Sequence, residues 1–184
     1  MNLLKTIKNL FVKDKRMLKP VIDDDTCIER LMVNEGCRLG SYRDSVGKLT
    51  VGIGRNLDDN PLSKDELCYI GHDCRTKFIS NEQAAYLCRN DLAKVRKDLD
   101  RDLPWWRDLG RERQYVMIDL CFNMGIDTLK TFHRTLESIA TGFYIRAAGQ
   151  LLQSKYAKQV GIRAERNAYC LKYGEYLIKL PKEW

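Results

Sequence analysis

The chain has 184 residues, of which 44% are hydrophobic and 31% charged, a balance typical of one globular domain or of one domain with two lobes. No apolar run approaches the roughly 20 residues that cross a bilayer, which excludes a transmembrane protein. The net charge of +7, taken alone, predicts a polyanionic partner such as nucleic acid, an anionic membrane or an acidic wall polymer.

The distribution of charge along the chain narrows the choice among these classes of partner. Residues 1–20 hold six Lys/Arg and one Asp, and residues 145–184 hold eight Lys/Arg and three Glu. Residues 21–144 hold 18 basic and 21 acidic residues, so the chain is basic at both ends and slightly acidic between them. No basic base-reading helix, zinc finger or aromatic RNA motif is present, and we therefore expect no nucleic-acid partner.

Residues 1–25 read as a basic N-terminal extension with helical periodicity. The apolar residues that share one helical face are Leu3, Leu4, Ile7, Leu10 and Phe11. Interspersed lysines and the lack of a small-residue cleavage site argue against a signal peptide. Two interpretations stay open: a helix or loose leader against the protein's own body, or residues 1–20 lying on an anionic membrane or bacterial envelope.

The seven cysteines cannot all pair, and no CxxC motif is present. This pattern indicates reduced thiols in a protein made in a reducing cytoplasm. Cys68, His72 and Cys74 could supply three zinc ligands, but the fourth is missing and the spacing fits no standard site. We therefore expect no metal and no other cofactor.

The first helix of the body is predicted to begin at Thr26. Thr26 as N-cap with Glu29 three residues later forms a capping box after the acidic linker 23–25. The apolar residues on the following face are Ile28, Leu31 and Met32. The same spacing reaches Glu35, and Gly36 is a natural stop.

A short strand region and a series of helices follow. Residues 49–54 alternate β-branched residues with glycine, which predicts a strand that another element approaches closely. Ser63 with Glu66, and Ser80 with Gln83, predict two capping boxes. The second opens a long charged helix that runs to Pro104. Further helices are predicted at 111–124, 129–141, 143–154 and 162–173. The predicted architecture is a mostly helical α+β fold: a small α/β lobe at 26–80, a linking helix at 81–103 and a helical lobe at 104–184.

Glu35 is the first candidate for chemistry, because a carboxylate on an apolar face carries a desolvation cost that favours the protonated form needed by a general acid. From periodicity alone, a surface glutamate at a frayed helix end is equally consistent. Asp44 lies in a polar turn, and Thr50 in the glycine-rich strand. One carboxyl in an apolar and one in a polar setting is the pair that glycoside hydrolysis uses, although Asp44 alone is also a common turn former.

The run from Glu35 to Gly54 contains the pattern Glu-Gly-x-Arg-Leu-x-x-Tyr-x-Asp-x5-Thr-x-Gly-x-Gly. This pattern resembles the phage lysozyme (endolysin, muramidase) family of the T-even phage type, glycoside hydrolase family 24. Phe122-Asn-Met-Gly125 and Gln159-Val-Gly-Ile-Arg163-Ala-x-Arg166 extend the similarity, which covers about residues 25–178.

The resemblance implies a lysozyme-like two-lobed fold that binds the wall polymer in the cleft between its lobes. It implies inverting hydrolysis of the β-1,4 bond between N-acetylmuramic acid and N-acetylglucosamine in peptidoglycan. Glu35 then corresponds to the general acid, Asp44 to the carboxylate that positions or activates water, and Thr50 to the residue that shares this water. Arg163 corresponds to a partner of Glu35. The positions that match sugar-binding residues are Phe122, Asn123, Met124 and Gln159, although core packing is an equal alternative for Phe122 and Met124.

Three positions depart from the family pattern. Asn34 stands where the T-even type has an aspartate, so we expect no ion pair with Arg166. Arg55 replaces a histidine, which we expect to remove a second structural ion pair. Asn123 replaces a glutamine. These changes affect stability and sugar contacts more than the acid or the water.

The resemblance favours a monomeric phage endolysin that lyses the host. We expect synthesis in the host cytoplasm and action on the wall in the periplasm after holin-mediated release. A lytic transglycosylase is an alternative, but it uses a single glutamate, and the spacing of Asp44 and Thr50 argues against it. A non-catalytic wall-binding module is disfavoured because both carboxylates are present.

Overall fold

The computed structural model describes residues 21–44 and 47–181, so the predicted amphipathic helix within residues 1–20 lies outside the described residues. The strands are Arg38–Arg43 (β1), Leu49–Gly52 (β2) and Arg55–Asn56 (β3). The α-helices are Asp24–Glu35 (α1), Lys64–Ile70 (α2), Asn81–Asp102 (α3), Arg111–Lys130 (α4), His133–Ala140 (α5), Tyr144–Leu152 (α6), Lys155–Val160 (α7) and Ile162–Tyr173 (α8), with a 3₁₀ turn at Pro104–Asp108. This arrangement confirms the predicted α+β, mostly helical class.

The N-cap of helix α1 lies three residues before the predicted N-cap. The side chain of Asp23 accepts a hydrogen bond from the Thr26 backbone N–H at 2.8 Å, and Asp24 is already helical. The prediction of Thr26 as N-cap is wrong because the Asp23 carboxylate, an equally good cap, comes first. Met32 is 41% exposed, so it does not share the buried face. The predicted stop is confirmed: the Gly36 N–H bonds to the Met32 carbonyl at a φ of 71°.

The sheet is antiparallel in the order β1-β2-β3. Arg38 pairs with Gly52 and Tyr42 with Thr50, so β1 carries extra residues between these pairs and bulges. The predicted strand stops at Gly52, because Ile53 and Gly54 form the turn into β3. The close approach expected there is confirmed. A Cβ added to Gly52 would lie 3.3 Å from the Cβ of Ala84 on α3.

Helix α3 lies between two hydrophobic clusters. Both predicted capping boxes, at Ser63 and at Ser80, are present. Ala84 and Leu87 near the start of α3 pack into the small cluster beneath the sheet, whereas Leu99 near its end packs into the larger helical cluster. The buried residues of α1 also join the larger cluster, so α1 packs with the helices although it precedes the sheet in the chain.

The helices after residue 104 differ from the prediction in three places. The first is that α5 begins at His133 and not at residue 129, because residues 129–130 belong to α4. Helix α4 continues past residue 124 and kinks at Gly125, whose φ is 75°, instead of ending there. Helix α7 was not predicted, because it has only six residues and little periodicity; the Ser154 side chain caps it by accepting from the Ala157 N–H. The predicted helix at 162–173 is confirmed as α8. No helix among residues 21–44 and 47–181 has the length and apolarity to cross a bilayer.

Candidate active site

A cleft of about 730 Å³ is bounded by the sheet on one side and by helices α3 and α4 on the other. It brings together five of the residues singled out from the sequence: Glu35, Asp44, Thr50, Phe122 and Asn123. Tyr42, Gly54, Lys94 and Asp98 are among the other residues of its wall. These groups come from the end of α1, from the sheet and its turns, and from α3 and α4, so the segment from Glu35 to Gly54 and two helices distant in sequence form one site.

Two of the predicted sugar-binding residues do not line this cleft. Met124 is half-buried and packs against the larger hydrophobic cluster. Gln159 is an exposed residue of α7. Phe122 also packs against that cluster, but it keeps one side in the cleft wall. For Phe122, core packing and a place in the site are therefore compatible.

Glu35 is held between a guanidinium and a glycine backbone. Arg163 Nη1 donates to Glu35 Oε1 at 2.5 Å. A Cβ built on Gly54 would lie 3.1 Å from Glu35 Oε2, so a side chain there would displace the carboxyl by a few tenths of an ångström, and the φ of 71° itself favours glycine. The Glu35 side chain is 22% exposed and lines the cleft. Its two oxygens are thus fixed in direction while the carboxyl stays accessible.

Arg163 is itself fixed by Asp119, a residue that the sequence reasoning missed. Asp119 is completely buried and accepts from Arg163 Nε at 3.0 Å and from Nη2 at 2.9 Å. Burial opposes the charge of Arg163, but the Asp119 carboxylate raises its pKa, so the guanidinium stays charged. A carboxylate within the apolar run of α4 requires buried partners, and this requirement was the signal that could have identified it.

Neutral donors complete the Asp119 shell. Asn167 Nδ2 donates to Asp119 at 2.6 Å, Tyr115 Oη at 3.2 Å and Asn34 Nδ2 at 3.2 Å. Arg166 Nη1 donates to Asn34 Oδ1 at 3.1 Å, so a hydrogen bond from a charged guanidinium to a neutral amide joins the two positions where no ion pair was expected. The charge that Asn34 lacks is supplied to this network by Asp119.

Asp44 lies at the tip of the hairpin between β1 and β2. Its Oδ1 accepts from the Lys48 N–H at 2.8 Å, and its carbonyl accepts from the Gly47 N–H at 3.0 Å. The role of turn former is therefore real, but the half-buried side chain also lines the cleft. The structure places Asp44 in a polar setting and Glu35 between α1, Gly54 and Arg163, as two different environments in one cleft.

Thr50 is 4% exposed and pairs with Tyr42 across the sheet. Its hydroxyl donates to the Lys48 carbonyl at 3.2 Å, which leaves the oxygen free to accept a hydrogen bond from a group in the cleft. The strand pairing fixes this hydroxyl relative to the Asp44 turn, because Lys48 bonds to both residues.

Arg55 forms a buried ionic cluster behind the cleft, so the expectation that it removes a structural ion pair is wrong. Arg55 is 2% exposed; its Nε donates to Asp91 at 2.7 Å and its Nη2 to Glu66 at 2.6 Å. Asn60 bridges to the second oxygen of Asp91 at 2.7 Å. Burial alone would raise the pKa of Glu66, but hydrogen bonds from Arg55, the Ser63 N–H and other donors lower it to about 2. The guanidinium reaches both carboxylates, a geometry that a smaller imidazole would not provide.

No metal-binding geometry emerges from the part of the chain that the structure describes, which contains no group of three or more His, Cys, Asp or Glu able to hold an ion. Cys68 is exposed and Cys74 is buried, whereas His72 Nε2 is hydrogen-bonded to the Phe78 carbonyl at 3.0 Å.

Three relatives that are 25% to 27% identical in sequence match this chain over most of its length. Probable T4-type lysozymes 1 and 2 of Dictyostelium discoideum are 26% and 25% identical over 152 and 150 residues, which is 75% of this chain and 88% of each relative. The pre-baseplate central spike protein Gp5 of Enterobacteria phage T4 is 27% identical over 168 residues, covering 83% of this chain but 29% of Gp5. The chain thus spans less than a third of the length of that spike protein.

The profile of the phage lysozyme family matches residues 33–168. The matched range begins just before Glu35 and includes Asp44, Thr50, Asp119 and Arg163, so it contains the whole constellation of the cleft. The chain therefore belongs to the phage lysozyme family and is an enzyme of the lysozyme type.

Proposed function

We propose that this chain is a muramidase that hydrolyses the β-1,4 bond between N-acetylmuramic acid and N-acetylglucosamine in bacterial peptidoglycan. One observation carries the proposal: Glu35 and Asp44 line the same cleft in different settings. Glycoside hydrolases divide acid and base work between two carboxyl groups in this manner.

In the proposed reaction, Glu35 protonates the glycosidic oxygen as the bond breaks. Asp44 receives a proton from the attacking water, and Thr50 shares that water through its hydroxyl oxygen. The positive charge that develops on the sugar is favoured by the acidic wall, which also includes Asp59 and Asp98. The result is inversion at the anomeric carbon, because water attacks from the side opposite the leaving group.

Arg163 and Asp119 act together on the acid. Arg163 fixes the direction of the Glu35 carboxyl, and Asp119 balances the guanidinium charge at its Nε and Nη2 edge. Glu35 is therefore positioned by a cation whose field is already largely neutralised. Phe122 and Asn123 provide an apolar surface and an amide on the opposite wall of the cleft, and both fit contacts with sugar rings.

Product analysis tests the reaction. Purified peptidoglycan is digested, and fragments are identified by mass spectrometry before and after borohydride reduction, with the initial anomer followed by NMR. We expect a reducing muramic acid end in the α form. A 1,6-anhydro end would identify a lytic transglycosylase, and a reducing glucosamine end would place the cut at the wrong bond.

Two variants test the residue roles. Glu35→Gln and Asp44→Asn should each reduce turnover at least about 100-fold, the scale of a lost general acid or base. Asp65→Asn changes an exposed carboxylate on α2 and serves as the matched control. Unchanged turnover in Glu35→Gln would contradict its role as the acid, and binding of peptidoglycan without any turnover by the wild type would instead support a non-catalytic wall-binding module.

The biological role that we propose is a phage endolysin that lyses its host, made in the cytoplasm and released to the periplasm through a holin. Similarity to Gp5 favours a second candidate, a lysozyme carried in the virion. Quantitative mass spectrometry of purified virions separates them. Stoichiometric protein in the particle supports the second role, and its absence together with blocked lysis in a deletion phage supports the first.

The segment 1–20 carries five units of net positive charge, which supports contact with an anionic membrane or envelope. Deletion of residues 1–20 should reduce lysis of intact Gram-negative cells and leave hydrolysis of purified walls unchanged. Equal loss in both assays, or in neither, would contradict this role.

A further inference from the structure

A row of side-chain contacts joins α3 to the segment 60–70, which comprises α2 and the loop before it. Lys94 Nζ donates to Asn60 Oδ1 at 2.7 Å, and Asn90 Nδ2 donates to Glu66 Oε1 at 2.9 Å. Later residues of the segment meet earlier residues of α3, so the two run antiparallel. We call this row of contacts the α2–α3 seam.

The α2–α3 seam ends at a pair of tyrosines. The rings of Tyr69 on α2 and Tyr86 on α3 have centroids 4.2 Å apart and are tilted by 35° to each other. Tyr86 is half-buried and packs against the small hydrophobic cluster beneath the sheet, whereas Tyr69 is 52% exposed. Tyr86 therefore anchors the pair, and the Tyr69 ring presents an apolar surface to solvent.

The other end of the seam opens into the cleft. Asn60 and Lys94 both line the cleft, and the Lys94 side chain is 55% exposed. Tyr86, Asn90 and Lys94 are spaced four residues apart on α3, so they lie on one face of the helix. The eight residues from Tyr86 to Lys94 span about 12 Å. A polymer that leaves the cleft beside Lys94 and follows α3 therefore meets the tyrosine pair.

The seam presents hydrogen-bonding groups followed by an aromatic ring. The Glu66 carboxylate is buried and paired with Arg55, so it adds no exposed charge. Asn90 uses one amide N–H within the seam, which leaves a second N–H and the carbonyl oxygen for a ligand. A pyranose ring carries hydroxyl and acetamido groups at its edge and C–H groups on its faces. An ammonium and an amide in series with an aromatic ring suit such a chain of sugars.

We propose that the α2–α3 seam binds the sugar backbone of the glycan strand where the strand leaves the cleft. One sugar ring stacks on Tyr69, and hydroxyl or acetamido groups of the preceding sugars bond to Asn90 and Lys94. This inference rests on the proposed function, because the cleft must hold the same strand. It gives the enzyme a binding surface beyond the cleft, which favours long strands over short ones.

The test uses soluble, uncrosslinked peptidoglycan strands fractionated by chain length. The KM of the wild-type enzyme should fall once the strand is long enough to reach Tyr69. Tyr69→Ala should remove this fall and raise the KM for long strands about three- to tenfold, the scale of one aromatic contact. The KM for short strands and the kcat should stay the same, because the ring lies outside the cleft. Tyr69→Phe keeps the ring and should keep the effect of length.

Phe78→Ala is the matched control, because it removes an aromatic ring that is 78% exposed elsewhere on the same lobe. It should behave as the wild type at every strand length. The proposal is overturned by a wild-type KM that does not depend on length, by an unchanged KM of Tyr69→Ala on long strands, or by an equal increase on short strands. Sedimentation velocity tests a second copy as the occupant: a wild-type dimer that dissociates in Tyr69→Ala, with strand binding unchanged, also overturns it.

Failure of the proposed hydrolysis would be visible separately, as wild-type enzyme that cleaves strands of no length. Isothermal titration calorimetry with the long strands still decides the role of the seam in that case. Weaker binding by Tyr69→Ala, together with wild-type affinity in Tyr69→Phe and Phe78→Ala, supports the seam. Equal affinity of Tyr69→Ala and the wild type contradicts it.

Discussion

Asp119 binds the Nε and Nη2 edge of Arg163 and leaves Nη1 to direct Glu35, so a fully buried carboxylate orients the candidate acid through one guanidinium. Asp119→Asn keeps the shape but removes the charge, and Arg163 then lacks its buried counter-ion. We expect a loss of unfolding free energy on the order of 3 kcal/mol and reduced turnover, measured by urea denaturation and wall hydrolysis.

Helix α4 provides the matched control. Asp127 pairs with Lys130 at 3.3 Å, but its side chain is 91% exposed. Asp127→Asn should therefore change neither stability nor turnover measurably. A loss as large as that of Asp119→Asn would show that any charge change on α4 is harmful, and would remove the argument for a specific Arg163 contact.

The Arg55 cluster predicts a second stability effect. Arg55→Leu leaves Glu66 and Asp91 buried without their cation, and such changes cost about 3 to 5 kcal/mol. Thermal and urea unfolding measure it. Arg101→Leu removes an exposed arginine with two acidic neighbours and should have little effect. Comparable stability of the two variants would contradict the structural role of the cluster.

Acid should weaken the same cluster. Because the folded-state pKa of Glu66 is about 2 against an ordinary value of 4.5, its ionised form stabilises the fold above pH 4.5, and this contribution is lost as pH falls from 4.5 towards 2. The free energy of unfolding, measured between pH 2 and 7, should decline less steeply with acid in Glu66→Gln. Parallel curves for the variant and wild type would rule out Glu66 as a source of acid sensitivity.

The local parts of the fold and site were predictable because their causes are neighbours in sequence. Two capping boxes and the stop at Gly36 each depend on contacts within a few residues. The predicted start of α1 was wrong although its cause is also local, because Asp23 and Thr26 are both good N-caps and capping propensity does not rank them.

The contacts between residues far apart in sequence could not be predicted from local patterns. Glu35 and Arg163 are 128 positions apart, and family resemblance, not periodicity, paired them. We expected Arg55 to remove a structural ion pair, because its partners on α2 and α3 cannot be identified from the sequence. Asp119 could have been recognised as a residue with a buried partner, because it is an acid within an apolar helix, but the sequence does not identify Arg163 as that partner.

The cysteines predict a simple reactivity pattern. Cys68 is exposed, whereas burial raises the pKa of the thiols of Cys27, Cys88, Cys121 and Cys170 to about 12. At pH 8, a disulfide reagent should modify Cys68 rapidly and these four only after unfolding. Loss of the fast phase in Cys68→Ser is the confirming result, and rapid native-state modification of the four would contradict their burial.

Gly54 gives the sharpest test of the acid's position. Its φ of 71° disfavours any side chain by roughly 1–2 kcal/mol, and a Cβ would lie 3.1 Å from Glu35 Oε2. Gly54→Ala should therefore lose stability and, by displacing the carboxyl, reduce kcat at least about tenfold. Gly71 has a φ of 76° with no atom within 4 Å of an added Cβ, so Gly71→Ala isolates the backbone cost. We expect both variants to lose similar stability and only Gly54→Ala to lose kcat. An equal kcat in the two variants would mean that contact with Gly54 does not position Glu35.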